Sequence, residues 1–151
     1  MATIGEVCMR DPVTATRETT VAAAARLMRE NHVGSVIVVD RIEDGLRLPL
    51  GIVTDRDLVV EVTATGLDPE TITVGDIMGP ELVTILAAKD VTAAVRYMRT
   101  KGVRRLPVVN DAGRLVGLAS FDDVLEFVVD DLVELAKTPS IEQSREARQR
   151  R

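Results

Sequence analysis

Cysteine, histidine and aromatic side chains are nearly missing from this chain of 151 residues. It has one cysteine, Cys8, one histidine, His32, no tryptophan, and only Tyr97, Phe121 and Phe127 as rings. A lone cysteine cannot close an internal disulfide, and one cysteine with one histidine cannot form a His/Cys metal cluster. Three rings are too few for the stacking platforms on which single-stranded nucleic acids are bound. A Cys/His catalytic pair needs both groups adjacent in space, and nothing in the sequence places them together.

Long apolar runs are absent too. No stretch approaches the roughly 18 residues of a membrane-spanning helix, and Met1–Pro12 lacks the basic-then-apolar order of a secretion signal. A cytoplasmic location is the expectation. The net charge of −5 carries no basic excess, which argues against wholesale binding to nucleic-acid phosphates. Charge is uneven, however. Residues 138–151 hold four arginines and two glutamates; following Pro139 with few apolar positions, this tail reads as a frayed helix or a disordered end. A weak electrostatic contact between the tail and RNA, DNA or an acidic partner stays open.

What is present is 46% apolar and 28% charged residues, the composition of a globular protein. The length suits one compact domain or two small units sharing a core. Sliding the chain by 70 positions lays Ile4–Asp40 on Val74–Asn110 without a gap, and 12 of the 37 positions are identical, against about two or three by chance. Later the register becomes 66, so that Leu50–Thr54 falls on Val116–Ser120 and the first copy carries four extra residues around Arg41–Leu48.

Each copy passes from a short strand (Val13–Thr14; Val83–Ile85) to a helix. The helical stripes are Val21, Ala24, Ala25, Met28 and Val91, Ala94, Val95, Met98, at i, i+3, i+4, i+7, with Thr20 and Asp90 as N-caps. The apolar runs Val36–Val39 and Leu106–Val109 predict strands buried on both faces. Turns at Glu43-Asp44-Gly45 and Asn110–Gly113 lead to a third strand, and the insertion lengthens two strands. A last helix follows Thr54 or Ser120. In the second copy it bears Val124, Leu125, Val128, Leu132 and Leu135, widened by Val129, Val133 and Ala136. That face either packs on its own repeat or awaits a partner.

Each copy closes on Gly-apolar-apolar-Thr/Ser-x-x-Asp: Gly51-Ile52-Val53-Thr54-Asp55-Arg56-Asp57, and Gly117-Leu118-Ala119-Ser120-Phe121-Asp122-Asp123. This duplicated strand, helix, strand, strand, helix order with its closing motif resembles the CBS-domain family, in particular stand-alone bacterial proteins with a tandem CBS pair. The likeness covers roughly residues 4–137. It implies an α+β fold of two βαββα repeats, at 4–64 and 74–137, joined by a linker at 65–73, with 138–151 as a charged tail. The repeats would form one CBS-pair module with pseudo-twofold symmetry. The resemblance further implies a non-enzymatic regulatory module, commonly a homodimer. Its central cleft would take an adenosine-containing ligand such as AMP, ADP, ATP, NAD(H) or S-adenosylmethionine, with no cofactor required. Val13, Ile37 and Pro107 would then line the base pocket; by composition alone they are core residues.

The closing motif makes chemical sense for a nucleotide. Asp57 is an acceptor that can take both hydroxyls of a ribose, and Thr54 can donate and accept beside it. Arg56 offers a forked donor for phosphate. Free N–H groups at the helix start also suit an anion. The competing reading is that Thr54 and Asp57 are a capping box, stabilising a helix by roughly 1 kcal/mol without any ligand.

The second motif keeps Ser120 and Asp123 but has Phe121 and Asp122 in place of Asp55 and Arg56. Phosphate binding there would need Arg104 or Arg105, which can equally serve the first motif or remain solvated. Gly34 and Ser35 occupy the matching positions in the first copy and are small enough to admit a ligand to the backbone. His32 reads as a helix-end residue, and Cys8, aligned with Met78, as a packing residue. An alternative function is a ligand-free dimeric scaffold acting on a protein partner through its C-terminal helix.

Overall fold

The computed structural model of the chain describes residues 2–41 and 45–150, with the backbone alone at Arg41. The predicted turn at Glu43-Asp44 lies outside the described residues.

Both main helices form where the apolar spacing places them. α2 (Val21–Asn31) buries Val21, Ala24 and Met28, and α5 (Val91–Lys101) buries the matching Val91, Ala94 and Met98. Ala25 of the expected stripe is exposed, and Leu27 packs on the core instead. Thr20 Oγ1 accepts the Ala23 N–H at 3.1 Å, and Asp90 Oδ1 accepts the Ala93 N–H at 2.7 Å. Each cap satisfies a donor that has no partner inside its helix. Both helices end on a left-handed residue, Gly102 (φ 66°) in α5 but His32 (φ 53°) in α2.

Two sheets result. In the first, β2 (Thr14–Ala15) lies parallel to β3 (Ser35–Arg41), which runs antiparallel to β4 (Arg47–Thr54). In the second, β5 (Ile85–Leu86), β6 (Arg105–Val109) and β7 (Leu115–Ser120) repeat that arrangement, and β1 (Met9–Arg10) adds a fourth strand beside β7. β3 and β4, at seven and eight residues, outrun their counterparts β6 and β7, at five and six, so the insertion lengthens the hairpin as expected. Alternate residues of the central strands point opposite ways. Val36 and Val38 pack with Ala24 and Met28 of α2, whereas Ile37 and Val39 meet Leu118 of β7 between the two sheets. Both faces of β3 are therefore buried, which explains its unbroken apolar run.

The repeats are not separate bodies. Short helices α1 (Ile4–Val7) and α4 (Val74–Ile77) begin the two copies, and each packs on the other copy. Ile4 lies in the core around Leu106 and Met98, and Val74 in the core around Val36 and Met28. Backbone bonds mirror this exchange: the Gly5 N–H donates to Ala87 O at 3.0 Å, and the Gly75 N–H to Arg17 O at 3.1 Å. The bridges Thr3–Asp90 and Thr73–Thr20 are the same pair under the 70-residue shift. That relation is the pseudo-twofold axis.

The final helices differ most. After β4 the chain makes α3 (Asp55–Asp57) and a π-helical stretch, Leu58–Thr63. After β7 it makes α6 (Phe121–Gln149), which runs straight through Pro139 and takes the basic tail with it as helix. Of its apolar stripe only Val124 is buried; Leu125, Val128, Val129, Leu132, Val133 and Leu135 are exposed.

Candidate functional site

Both closing motifs fold into the same turn. Thr54 ends β4 in extended conformation, its Oγ1 accepts the Asp57 N–H at 3.2 Å, and its own N–H donates to Asp57 Oδ2 at 2.8 Å. At the end of β7, Ser120 Oγ accepts the Asp123 N–H at 3.1 Å, while the Ser120 N–H reaches Asp123 Oδ2 at 3.2 Å. The Ser120 hydroxyl also donates to that oxygen. Thr3 with Glu6, and Thr73 with Asp76, form the same reciprocal boxes. The capping reading of Thr54 and Asp57 is therefore real. It does not exhaust the carboxylates, because the box engages one oxygen of Asp57 and one of Asp123, Oδ2 in each. Each Oδ1 remains for a hydroxyl.

One sequence-based expectation fails here. The N–H groups at the first helix start were to be free for an anion, but all three are engaged. The Asp55 N–H donates to Gly34 O at 3.0 Å, the Arg56 N–H to Asp55 Oδ1 at 2.8 Å, and the Asp57 N–H to Thr54 Oγ1. These three residues are the whole of α3 before the pattern changes to π-helical. An anion at the first motif must rely on side chains.

The two adjacent arginines diverge. Arg104 stays with its own repeat: its Nη2 lies 3.4 Å from Asp122 Oδ1, and its guanidinium stands 5.1 Å from the centre of the Phe121 ring. Arg105 crosses to the other repeat. A methyl group placed on Gly34 would sit 3.2 Å from Arg105 Nη2 and 3.2 Å from Asp55 Oδ2. The missing side chain at Gly34 is thus what lets a cation of the second repeat stand over the first motif. Arg56 is exposed and shares a shallow hollow with Asp55, Val59 and Val60.

The remaining expected residues lie deeper. Ile37 and Pro107 are fully buried, Val13 is half-buried against the first core, and Ser35 is buried while Gly34 is partly open. In the first repeat the Ile37 N–H donates to Val13 O at 3.0 Å. Its counterpart Pro107 has no N–H, so Val83 O receives no such bond. His32 takes the left-handed C-cap position. Cys8 is buried beside Gly117, and burial pushes its thiol above the usual cysteine range. Sequence reasoning missed the role of Asp55, whose carboxylate shares the space above Gly34 with Arg105. Only the spatial crossing reveals it.

Two βαββα halves that exchange their first turns and close on twin Thr/Ser-x-x-Asp boxes define a paired module built by duplication. The CBS domain profile matches residues 4–63 and 74–130, and the chain belongs to the CBS-domain family. It is similar to an uncharacterised protein of Methanopyrus kandleri, 38% identical over 123 residues, covering 82% of this chain and 61% of that protein. The chain thus spans less than two thirds of that relative. It is also similar to hypoxic response protein 1 of Mycobacterium tuberculosis, 35% identical over 105 residues, or 70% of each chain. Among solved structures, a CBS domain protein from Pyrobaculum aerophilum complexed with AMP superposes with a TM-score of 0.71 at 28% identity, covering 80% of this chain and 88% of that one. Among the described residues no helix is long and apolar enough to cross a membrane.

Proposed function

We propose that this protein is a non-enzymatic, cytoplasmic regulatory module that binds an adenosine-containing ligand in the cleft between its CBS repeats. AMP, ADP, ATP, NAD(H) and S-adenosylmethionine share the recognisable part. Asp57 and Thr54 take the ribose hydroxyls, Arg56 and Arg105 face the phosphate, and Ser120 and Asp123 offer the second, mirrored set. Gly34 and Ser35 keep the floor small, and Val13, Ile37 and Pro107 form its apolar backing. The repeats at 4–64 and 74–137, with the linker 65–73, act as one unit, and the protein works as a homodimer.

The observation that carries this reading is the placement of Arg105 from one repeat above Gly34 and Asp55 of the other. A cation held across a seam, next to a half-used carboxylate, suits a ligand with both phosphate and hydroxyls. The AMP held by the Pyrobaculum aerophilum protein supports the same ligand class. Thermal stability with each ligand, for wild type and Asp57→Ala, tests it. A shift with one ligand that disappears in the variant is the expected result; no shift with any ligand overturns the reading. Each protein is compared with its own ligand-free state, since removing the capping box alone costs about 1 kcal/mol.

A second reading rests on α6. From Val128 onward its residues are exposed, and its apolar stripe lies among six acidic and no basic side chains between Phe121 and Ala136. In this reading the protein is a ligand-free dimeric scaffold acting through that helix. Thermal scans with the same ligands separate the two: a shift that Asp57→Ala abolishes overturns the ligand-free scaffold, whereas no shift with any ligand, together with loss of association by light scattering in Leu132→Asp, favours it.

A further inference from the structure

The two closing motifs carry different charge sets, and the difference is organised around one side chain. The first gathers Asp55, Arg56 and Asp57 with Arg105 from the other repeat, two guanidiniums among two carboxylates. The second gathers Phe121, Asp122 and Asp123 with Arg104, one guanidinium among two carboxylates. That single guanidinium is already engaged, at 3.4 Å from Asp122 and over the face of Phe121. The position matching Arg105 in the first repeat is Ser35, neutral and buried, so it sends no guanidinium across to the second motif.

We infer that the two clefts select different ligands, with Asp122 as the specificity-determining residue: the first motif takes a phosphorylated nucleotide, and the second refuses phosphate. Asp122 stands at the position of Arg56, so a phosphate entering there meets a carboxylate where the first motif offers a guanidinium. It also meets an Arg104 held elsewhere. The hydroxyl-binding half of the second motif is intact, since Ser120 and Asp123 keep the same box and Asp123 Oδ1 stays available. An uncharged nucleoside fits that remainder. The inference rests on the ligand class proposed above.

The pair between Arg104 and Asp122 is 70% and 81% exposed at its side chains, so as a tie it is weak. Its effect on selection comes chiefly from the carboxylate beside an incoming anion, which ionic strength screens. Removing that charge should tighten the second site for a phosphate about tenfold.

Calorimetric titration of the full chain with AMP and with adenosine decides the matter, using wild type, Asp122→Asn and the double variant Asp122→Asn/Arg104→Ala. Asparagine keeps the shape and removes the charge. The expected result is one AMP per chain in wild type and two in Asp122→Asn. Loss of the second AMP in the double variant, and an unchanged adenosine affinity throughout, complete the pattern. Two AMP per chain in wild type, or one in Asp122→Asn, overturns selection by Asp122 while leaving the nucleotide reading intact. No AMP on any of the three proteins removes both.

Discussion

Replacing Arg105 by alanine puts a number on the crossing contact. The guanidinium is half-buried and stands over Gly34 beside Asp55, so a charge-assisted bond from it to a phosphate is worth about 1.5 kcal/mol, the lower end for a partly solvated donor. Losing it weakens the ligand roughly tenfold. At a concentration 100 times the wild-type Kd the ligand stabilises by about 2.7 kcal/mol, and the same concentration stabilises the variant by about 1.4 kcal/mol. For a chain of this size 1 kcal/mol moves the midpoint by about 2–4 °C, so the ligand-induced rise in Tm shrinks by about 3–5 °C. Arg104→Ala is the matched control, because Arg104 is tied to Asp122 and Phe121 on its own repeat; its ligand-induced rise should stay within about 1 °C of wild type. Thermal scans with AMP measure both. Equal losses in the two variants, or a larger loss from Arg104→Ala, would refute the crossing argument.

Pseudo-equivalent glycines should respond unequally. A Cβ on Gly117 would lie 2.5 Å from Met9 O, the backbone of β1, whereas one on Gly51 would meet only the flexible Met78 side chain at 2.7 Å. Gly117→Ala should therefore cost about 1–3 kcal/mol in urea denaturation and Gly51→Ala clearly less. His32 holds the left-handed cap that Gly102 holds in the other repeat, so His32→Gly should raise stability by about 1 kcal/mol in the same assay. Cys8, buried and with its thiol pushed up by desolvation, should resist a thiol reagent in the native protein and react once it is unfolded. Backbone and side-chain bonds from Thr3 and Thr73 hold the Glu6 and Asp76 carboxyls below their ordinary values. Groups lowered on folding contribute stability above the unfolded pKa and lose it as pH falls through the folded one. Urea midpoints should thus drop below about pH 4.5, and less steeply for Thr73→Ala.

The fold was largely legible because duplication doubles every local signal. Val21, Ala24 and Met28 alone suggest one helix; the same residue spacing at Val91, Ala94 and Met98 fixes the unit and its boundaries. The caps at Thr20 and Asp90 were readable for the same reason. What local patterning cannot carry is which repeat a segment packs against. Ile4 belongs to the core of the second repeat and Val74 to that of the first, yet both look like ordinary first residues of their own copies. The engaged N–H groups at Asp55, Arg56 and Asp57 were equally hidden, since one of them goes to Gly34 O, 21 residues back in the chain. Arg104 and Arg105 are neighbours with identical side chains. Arg104 lies in the bend before β6 and Arg105 is the strand's first residue, and the space over Gly34 receives only the second.

That exchange of first turns bears directly on how a ligand in the seam could act. Each core is completed by a residue from the other half, Ile4 in one and Val74 in the other, and Ile37, Val39 and Leu118 seal the sheets against each other. Neither half can shift without disturbing both cores, so the seam is rigid where the apolar packing is dense. Its polar rim is different. Among the described residues Arg105 and Arg56 make no ion pair there, and Arg104 is held only by an exposed ion pair and the face of Phe121. A ligand of the proposed class would therefore meet a fixed floor and an adjustable rim, and its binding energy would go into ordering arginines from both repeats at once. Because Ser120 caps α6 and Asp123 lies in its first turn, a change in the ordering of the second motif would be applied at the root of the exposed 29-residue helix. If the two motifs divide their ligands as proposed, the asymmetry has a mechanical meaning: phosphate would draw on the first motif, while the exposed helix grows from the second.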